Sequence, residues 1–239
     1  MTGTYRMAGK VIGINSLYDE VHSYCADYRC DGKPDFCVTV SQSDIDRERA
    51  KSLNAQPPLT SPRDAYLEEL AVYRKIAEKM PDYDTILFHG SVVAVDGAGY
   101  LFTARSGTGK STHTRLWREL FGSRAVMVND DKPLLHIADT VTACGTPYNG
   151  KHRLSANISV PLKAVCVLTR ADENSIVRID AHTAYPVLLQ QAYRPADVEA
   201  MRKTVELLDR LTRSVKLFRL GCNMNIEAAQ IAYEAMSRE

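Results

Sequence analysis

Along this chain, apolar residues fall into short runs more often than into long helical stripes. Lys-Val-Ile-Gly-Ile-Asn at 10–15 and Asp-Phe-Cys-Val-Thr-Val at 35–40 predict two strands separated by turn-rich polar sequence. Residues 54–60 hold the adjacent prolines Pro57 and Pro58 and predict a loop. A helix is then predicted with Ser61 as its N-cap, Pro62 at its first position and Asp64 in its first turn. Tyr66, Leu70, Tyr73, Ala77 and Met80 share one face of it, and Pro81 ends it.

Three brief apolar runs follow, at 85–88, 91–95 and 100–103, and Asp96-Gly97-Ala98-Gly99 joins the last two as a hairpin signal. Ala125-Val-Met-Val128 predicts a buried strand ending in Asn129-Asp130-Asp131, with further strands near 133–137, 141–144, 163–169 and 175–179. The last third reads as mainly helical. One helix follows Pro195, with Val198, Met201, Val205, Leu208 and Thr212 on its apolar face; a strand at 215–220 precedes a final helix after Asn225. Hairpin-like strands ahead of the helical segments predict a mixed sheet, not an all-parallel one. The expected class is α/β, with a small α+β lobe at 1–83 and a core at 84–239.

Composition narrows the function classes. The chain has 239 residues, 45% hydrophobic and 25% charged, with a formal net charge of +1. No basic run marks a nucleic-acid groove or an anionic membrane surface. No apolar run reaches the roughly 20 residues that span a bilayer, and the first residues lack the apolar centre of a secretory signal. The six cysteines have no C-x-x-C spacing, and Cys166 reads as a small core residue, so the expected setting is a reducing cytoplasm.

The chemistry concentrates at 99–112, where an apolar strand runs into Ala104-Arg-Ser-Gly-Thr-Gly-Lys-Ser-Thr112. This is the pattern of a P-loop. Gly107 and Gly109 let successive amides of Ser106 to Thr112 face one concavity, Lys110 adds a compact positive charge, and the Ser111 hydroxyl suits Mg²⁺. A helix starting near Ser111 and closed by Gly122 turns its N-terminal dipole on the same anion. Ala104 stands where the strict pattern has glycine. Arg105 suits either phosphate contact or surface charge.

Asp130-Asp131 ends the strand after that helix. An acidic turn gives the same sequence, but after a P-loop the pair suits a Mg²⁺ shell and proton acceptance. His89, before the hairpin, reads on its own as a core or turn residue, and His113 as an exposed one. Lys151 and Arg153, in the loop Thr146-Pro-Tyr-Asn-Gly-Lys-His-Arg153, suit either anion contact or a solvated turn.

Taken in order, His89-Gly90, the hairpin, Ser106-Gly-Thr-Gly-Lys-Ser111 and Val128-Asn-Asp-Asp131 resemble the catalytic domain of HPr kinase/phosphorylase, whose core is shared with phosphoenolpyruvate carboxykinases. The resemblance covers about residues 85–170. It implies ATP and Mg²⁺ as cofactors. Lys110 and the loop amides would bind the β-phosphate, Ser111 and Asp131 the metal, and Asp130 and Asp131 would divide proton acceptance and metal-shell duty. His89 would lie near the transferring phosphoryl group. Arg105 and Thr112 replace two acidic residues of that family, and its Gly-Leu-Gly-Ile-Ile-Asn stretch has no counterpart near Gly145. These departures point to a divergent phosphotransferase, away from phosphorolysis and from HPr as substrate. The expected partner is a hydroxyl-bearing acceptor, a small molecule or a peptide or protein serine, with neither nucleic acid nor membrane. A homo-oligomer is compatible with the sequence. The alternative is a nucleotide-binding regulator without phosphotransfer.

Overall fold

The computed structural model describes residues 1–54, 61–150 and 152–238, which divide into two units, Met1–Lys79 and Met80–Glu239. The first unit carries β1 (Thr2–Met7), β2 (Lys10–Asn15), α1 (Glu20–Tyr24), β3 (Phe36–Thr39), α2 (Gln42–Leu53) and α3 (Asp64–Lys79). Its sheet runs β1-β2-β3, the first pair antiparallel and the second parallel. The two strands expected at 10–15 and 35–40 form. Helix α2 opens on a capping box in which the Ser41 amide donates to the Asp44 carboxylate at 2.9 Å.

Helix α3 begins at Asp64, two residues later than the cap at Ser61 predicts, because Ser61 adopts a φ of 48° that a helix N-cap does not use. The predicted face holds in part: Tyr73, Ala77 and Met80 are buried, but Ala65, Glu68, Val72 and Ile76 also turn inward and Tyr66 is exposed. Glu68 is fully buried because its two oxygens accept the Leu17 and Tyr18 amides at 2.6 and 2.9 Å. Apart from Asn54, the loop expected at 54–60 lies outside the described residues.

The second unit is an α/β fold on a mixed, curled sheet. Its elements are β4 (Thr85–Leu87), β5 (Ser91–Val95), β6 (Ala98–Thr103), α4 (Lys110–Phe121), β7 (Ala125–Asn129), β8 (Leu134–Ile137), β9 (Val141–Cys144) and β10 (Ser159–Arg170). They continue with β11 (Ser175–Arg178), α5 (Ala181–Gln191), α6 (Val198–Ser214), β12 (Lys216–Cys222) and α7 (Glu227–Ser237). The sheet order is β4-β8-β9-β10-β6-β5-β7, with β12 also on β10 and β11 on β12. Only β6–β10 and β10–β12 are parallel. The turn of the β5–β6 hairpin is Asp96-Gly97, both at positive φ (51° and 81°), the two-residue geometry that Asp-Gly favours.

Side chains alternate across this sheet with the two-residue period of a strand. Val92, Ala94, Leu101, Val165 and Leu217 pack with Leu188, Leu207, Leu208 and Leu211 of α5 and α6. Val93, Val95, Phe102, Cys166 and Leu220 pack on the other face with Leu116 and Trp117 of α4 and with Ala228, Ala232 and Met236 of α7. Strands buried on both faces explain the uninterrupted apolar runs. Helix α6 buries Ala200, Thr204, Leu207, Leu208, Leu211 and Thr212, so the predicted stripe holds only in part: Val198 is 84% exposed. Among the described residues no helix is long and apolar enough to cross a membrane.

At the end of β9 the chain passes so close to its neighbours that only glycine fits. A Cβ on Gly145 would stand 1.8 Å from the Ala156 carbonyl oxygen and 2.8 Å from that of Val128, both backbone atoms. Gly145→Ala is therefore expected to cost about 3 kcal/mol in urea unfolding. A loss below about 0.5 kcal/mol would refute this close approach.

Candidate functional site

The glycine-rich loop leaves the C-terminal end of β6 and enters α4 at Lys110. Gly107 (φ 78°) and Gly109 (φ 125°) adopt conformations that side chains disfavour, although a Cβ at either would meet no atom within 4 Å. Here glycine serves backbone conformation, whereas at Gly145 it serves space. Ala104 is absent from the positive-φ residues and is buried against the Phe102–Trp117 cluster, which explains why this first position tolerates a methyl group. The first turn of α4 leaves the amides of Lys110, Ser111 and Thr112 without helical acceptors, while the His113 amide already bonds Gly109 O at 2.9 Å. Such an end attracts an anion.

Lys110 is buried, and its ammonium donates to Ala104 O at 3.1 Å. Burial pushes its pKa down; the Asp131 charge opposes this and that of Lys132 adds to it, so these three groups share one neighbourhood. Ser106 and Ser111 are exposed, and Thr108 and Thr112 are half-buried.

Asn129, the last residue of β7, sets the acidic pair. It is fully buried, and its Oδ1 accepts the Asp131 and Lys132 amides at 2.9 and 2.6 Å while its Nδ2 donates to Thr146 O at 3.1 Å. The strand thereby ends in an Asx turn. The two carboxylates then part company. Asp130 turns inward: its Oδ1 accepts the Gly150 amide at 2.6 Å, its Oδ2 is buried with no hydrogen-bond partner among the described residues, and burial raises its pKa against the pull of the Gly150 and Leu154 amides. Asp131 instead meets His89 Nε2 at 3.3 Å and pairs with Lys132. Burial would raise its pKa, but the His89 and Lys132 contacts outweigh that and hold it at about 2. Asp131 is an anion at neutral pH.

His89 is brought to Asp131 by backbone stitching, since Gly90 N donates to Asp131 O at 3.0 Å and the Thr103 hydroxyl to His89 O at 3.0 Å. Its Nδ1 lies 2.7 Å from Gln191 Oε1, at the end of α5, and its Nε2 faces the Asp131 carboxylate. The structure thus gathers Lys110, His89 and Asp131, sets Asp130 behind them, and adds Gln191, Asn129 and Lys132, to which the sequence reading gave no part. Gln191 had no local signal, being 102 residues from His89. Asn129 had one, because an asparagine before Asp-Asp-Lys at a strand end is an Asx-turn former. Arg153 is exposed at a φ of 51° on the 145–156 loop, and Lys151 lies outside the described residues. Arg105 is exposed.

His113 is a correction. The sequence reading exposes it, but the structure buries it to 2% exposure with Trp117 Nε1 donating to its Nε2 at 3.0 Å. Its period on α4 turns it to the sheet with Trp117, one turn on. Burial lowers its pKa to about 4.

Among the described residues no group of three or more His, Cys, Asp or Glu side chains gathers as a metal site. The Ser111 hydroxyl and the ionised Asp131 carboxylate are oxygen donors of the hard kind that Mg²⁺ takes alongside phosphates and water.

Residues 63–227, more than half of the chain, match the family model described as SynChlorMet cassette protein ScmC. The chain belongs to the ScmC family. The match spans α3 through β12 and includes the glycine-rich loop, His89, Asp130, Asp131 and Gln191. No curated protein matches the chain. Among solved structures it is similar to the HPr(Ser) kinase/phosphatase from Coxiella burnetii, with 12% identity, 64% of this chain and 99% of that chain covered, and a TM-score of 0.36.

Two acid limbs of stability follow. His113 binds a proton near pH 6.5 when unfolded but only near 4 when folded, so unfolding free energy should fall by about 3 kcal/mol as pH drops from 6.5 to 4. Asp131, depressed from 3.8 to about 2, should remove about 2 kcal/mol more between those values. Urea titrations of His113→Phe should lack the upper limb. If that variant keeps it, His113 is not the buried neutral group described.

Proposed function

We propose that this chain is a Mg²⁺-requiring phosphotransferase that moves the terminal phosphoryl group of a nucleoside triphosphate to a hydroxyl. ATP is the donor implied by the sequence resemblance. The observation that carries the reading is the convergence of buried Lys110, ionised Asp131 and His89 beside a helix N-terminus whose amides are open.

In this reading the loop amides and Lys110 hold the β- and γ-phosphates and offset the charge that spreads over the transferring group. Ser111 and Asp131 would hold Mg²⁺, which supplies charge neutralisation at the phosphate oxygens when bound. The acceptor oxygen forms a bond to the γ-phosphorus as the bridging P–O bond to the β-phosphate breaks, and its proton passes to the Asp131–His89 pair. Little base strength is needed, because proton loss follows most of the bond breaking in a loose transition state. Gln191 keeps the imidazole turned toward that carboxylate. Asp130 ties the strand end to the Gly150 and Leu154 amides.

A second reading, nucleotide binding without turnover, is favoured by Thr112, which stands directly after Ser111 where a second acidic group would serve the metal. Incubation with γ-labelled ATP, Mg²⁺ and pools of metabolites and peptides separates the two. Label should move to a hydroxyl acceptor, and Lys110→Ala and Asp131→Asn should each lower the rate at least about 100-fold. Undiminished transfer by Lys110→Ala would remove that lysine from the reaction. Tight ATP binding with no transfer to any acceptor would establish the second reading.

A further inference from the structure

A cavity of about 660 Å³ opens beside the glycine-rich loop and shares that loop with the groups just assigned to phosphoryl transfer. Gly107 to Gly109 and Thr112 form one wall, the end of β10 from Arg170 to Asp172 a second, and the end of β12 from Cys222 to Met224 a third. Lys110, His89 and Asp131 do not line it. The loop therefore adjoins both this cavity and, through Lys110, the lysine–carboxylate cluster.

What the cavity can hold follows from its walls. Its one cationic side chain, Arg170, already donates through Nε to Thr108 O at 3.4 Å and through Nη2 to Gly107 O. Beyond the loop amides, which serve the phosphates, the walls thus offer an anion little. Ala171, Cys222 and the 75% exposed Met224 give apolar surface for a flat ring. Asp172 is the exception. Its backbone carbonyl accepts from Asn223 Nδ2 at 2.8 Å, while its carboxylate has no partner among the described residues.

We propose that this cavity holds the nucleoside of the phosphoryl donor and that Asp172 selects its base, favouring guanine over adenine. The inference rests on reading the loop as the phosphate site and alters one part of that reading, the base. A carboxylate only accepts hydrogen bonds. Guanine presents two adjacent donors, N1–H and the N2 amine, on its pairing edge, so both carboxylate oxygens are satisfied at once. Adenine presents a ring acceptor beside its amine, and that lone pair would face an anion.

Calorimetry with Mg²⁺ and GDP, ADP, XDP and pyrophosphate tests this. GDP should bind about tenfold or more tighter than ADP and than pyrophosphate, the range for a hydrogen bond to a charged group. Asp172→Asn should move the preference to XDP, whose base has a carbonyl where guanine has the amine. Asp172 is exposed, so this variant should fold; an unchanged thermal midpoint checks it. ADP binding as tightly as GDP, or an unchanged order in Asp172→Asn, overturns the role of Asp172. Pyrophosphate binding as tightly as GDP overturns the nucleoside site and leaves the phosphate loop standing. Failure of all four ligands to bind overturns the loop reading itself.

Discussion

The arrangement depends on one buried amide. Asn129 has no exposed surface, and a carboxamide in that position must find partners for two donors and an acceptor or lose several kcal/mol. It finds them on both sides, in the amides of Asp131 and Lys132 and in the Thr146 carbonyl and hydroxyl. Thr146 passes the constraint on, since its hydroxyl donates to Lys132 O at 2.7 Å. With the turn fixed in this way, two successive carboxylates cannot face the same environment. One is sealed among loop amides and the other is left among cations, and their pKa values move in opposite directions.

That divergence gives the two acids different work. A carboxyl whose ionisation is opposed by burial suits a structural tie to neutral amides. One held at about 2 suits the company of phosphate, metal and ammonium, where a permanent charge is wanted. Sequence alone assigns neither role, because adjacent strand residues point to opposite sides whichever side faces the chemistry.

Much of the site was nevertheless legible. Gly107, Gly109, Lys110 and the Asp96-Gly97 turn are local signals whose meaning comes from backbone geometry within a few residues. The parts that escaped are set by distant chain. Gln191 reaches His89 from a helix that the sequence reading did not delimit, and His113 is buried by the sheet its helix lies on. The inward face of α3 was read only in part because a glutamate sits on it, and a buried glutamate is invisible to hydrophobic periodicity when amides from residues 17 and 18 supply its partners. In the first turns of α6 the small residues Ala200 and Thr204 face inward beside Leu207, Leu208 and Leu211 further on, while bulkier Val198 and Val205 lie outside. Strand β1 and helices α1 and α2 went unread because their apolar residues are too sparse to show a period.

The clasp that Arg170 makes on the loop has a geometric corollary. In a trans peptide the carbonyl and the following N–H point in opposite directions. By drawing the Thr108 carbonyl toward β10, the guanidinium turns the Gly109 amide the other way and sets that donor's direction before any anion arrives. On the proposed phosphate reading, this presetting lowers the ordering entropy that closure around an anion would otherwise demand, and it comes from the same strand end as the carboxylate proposed to meet the base.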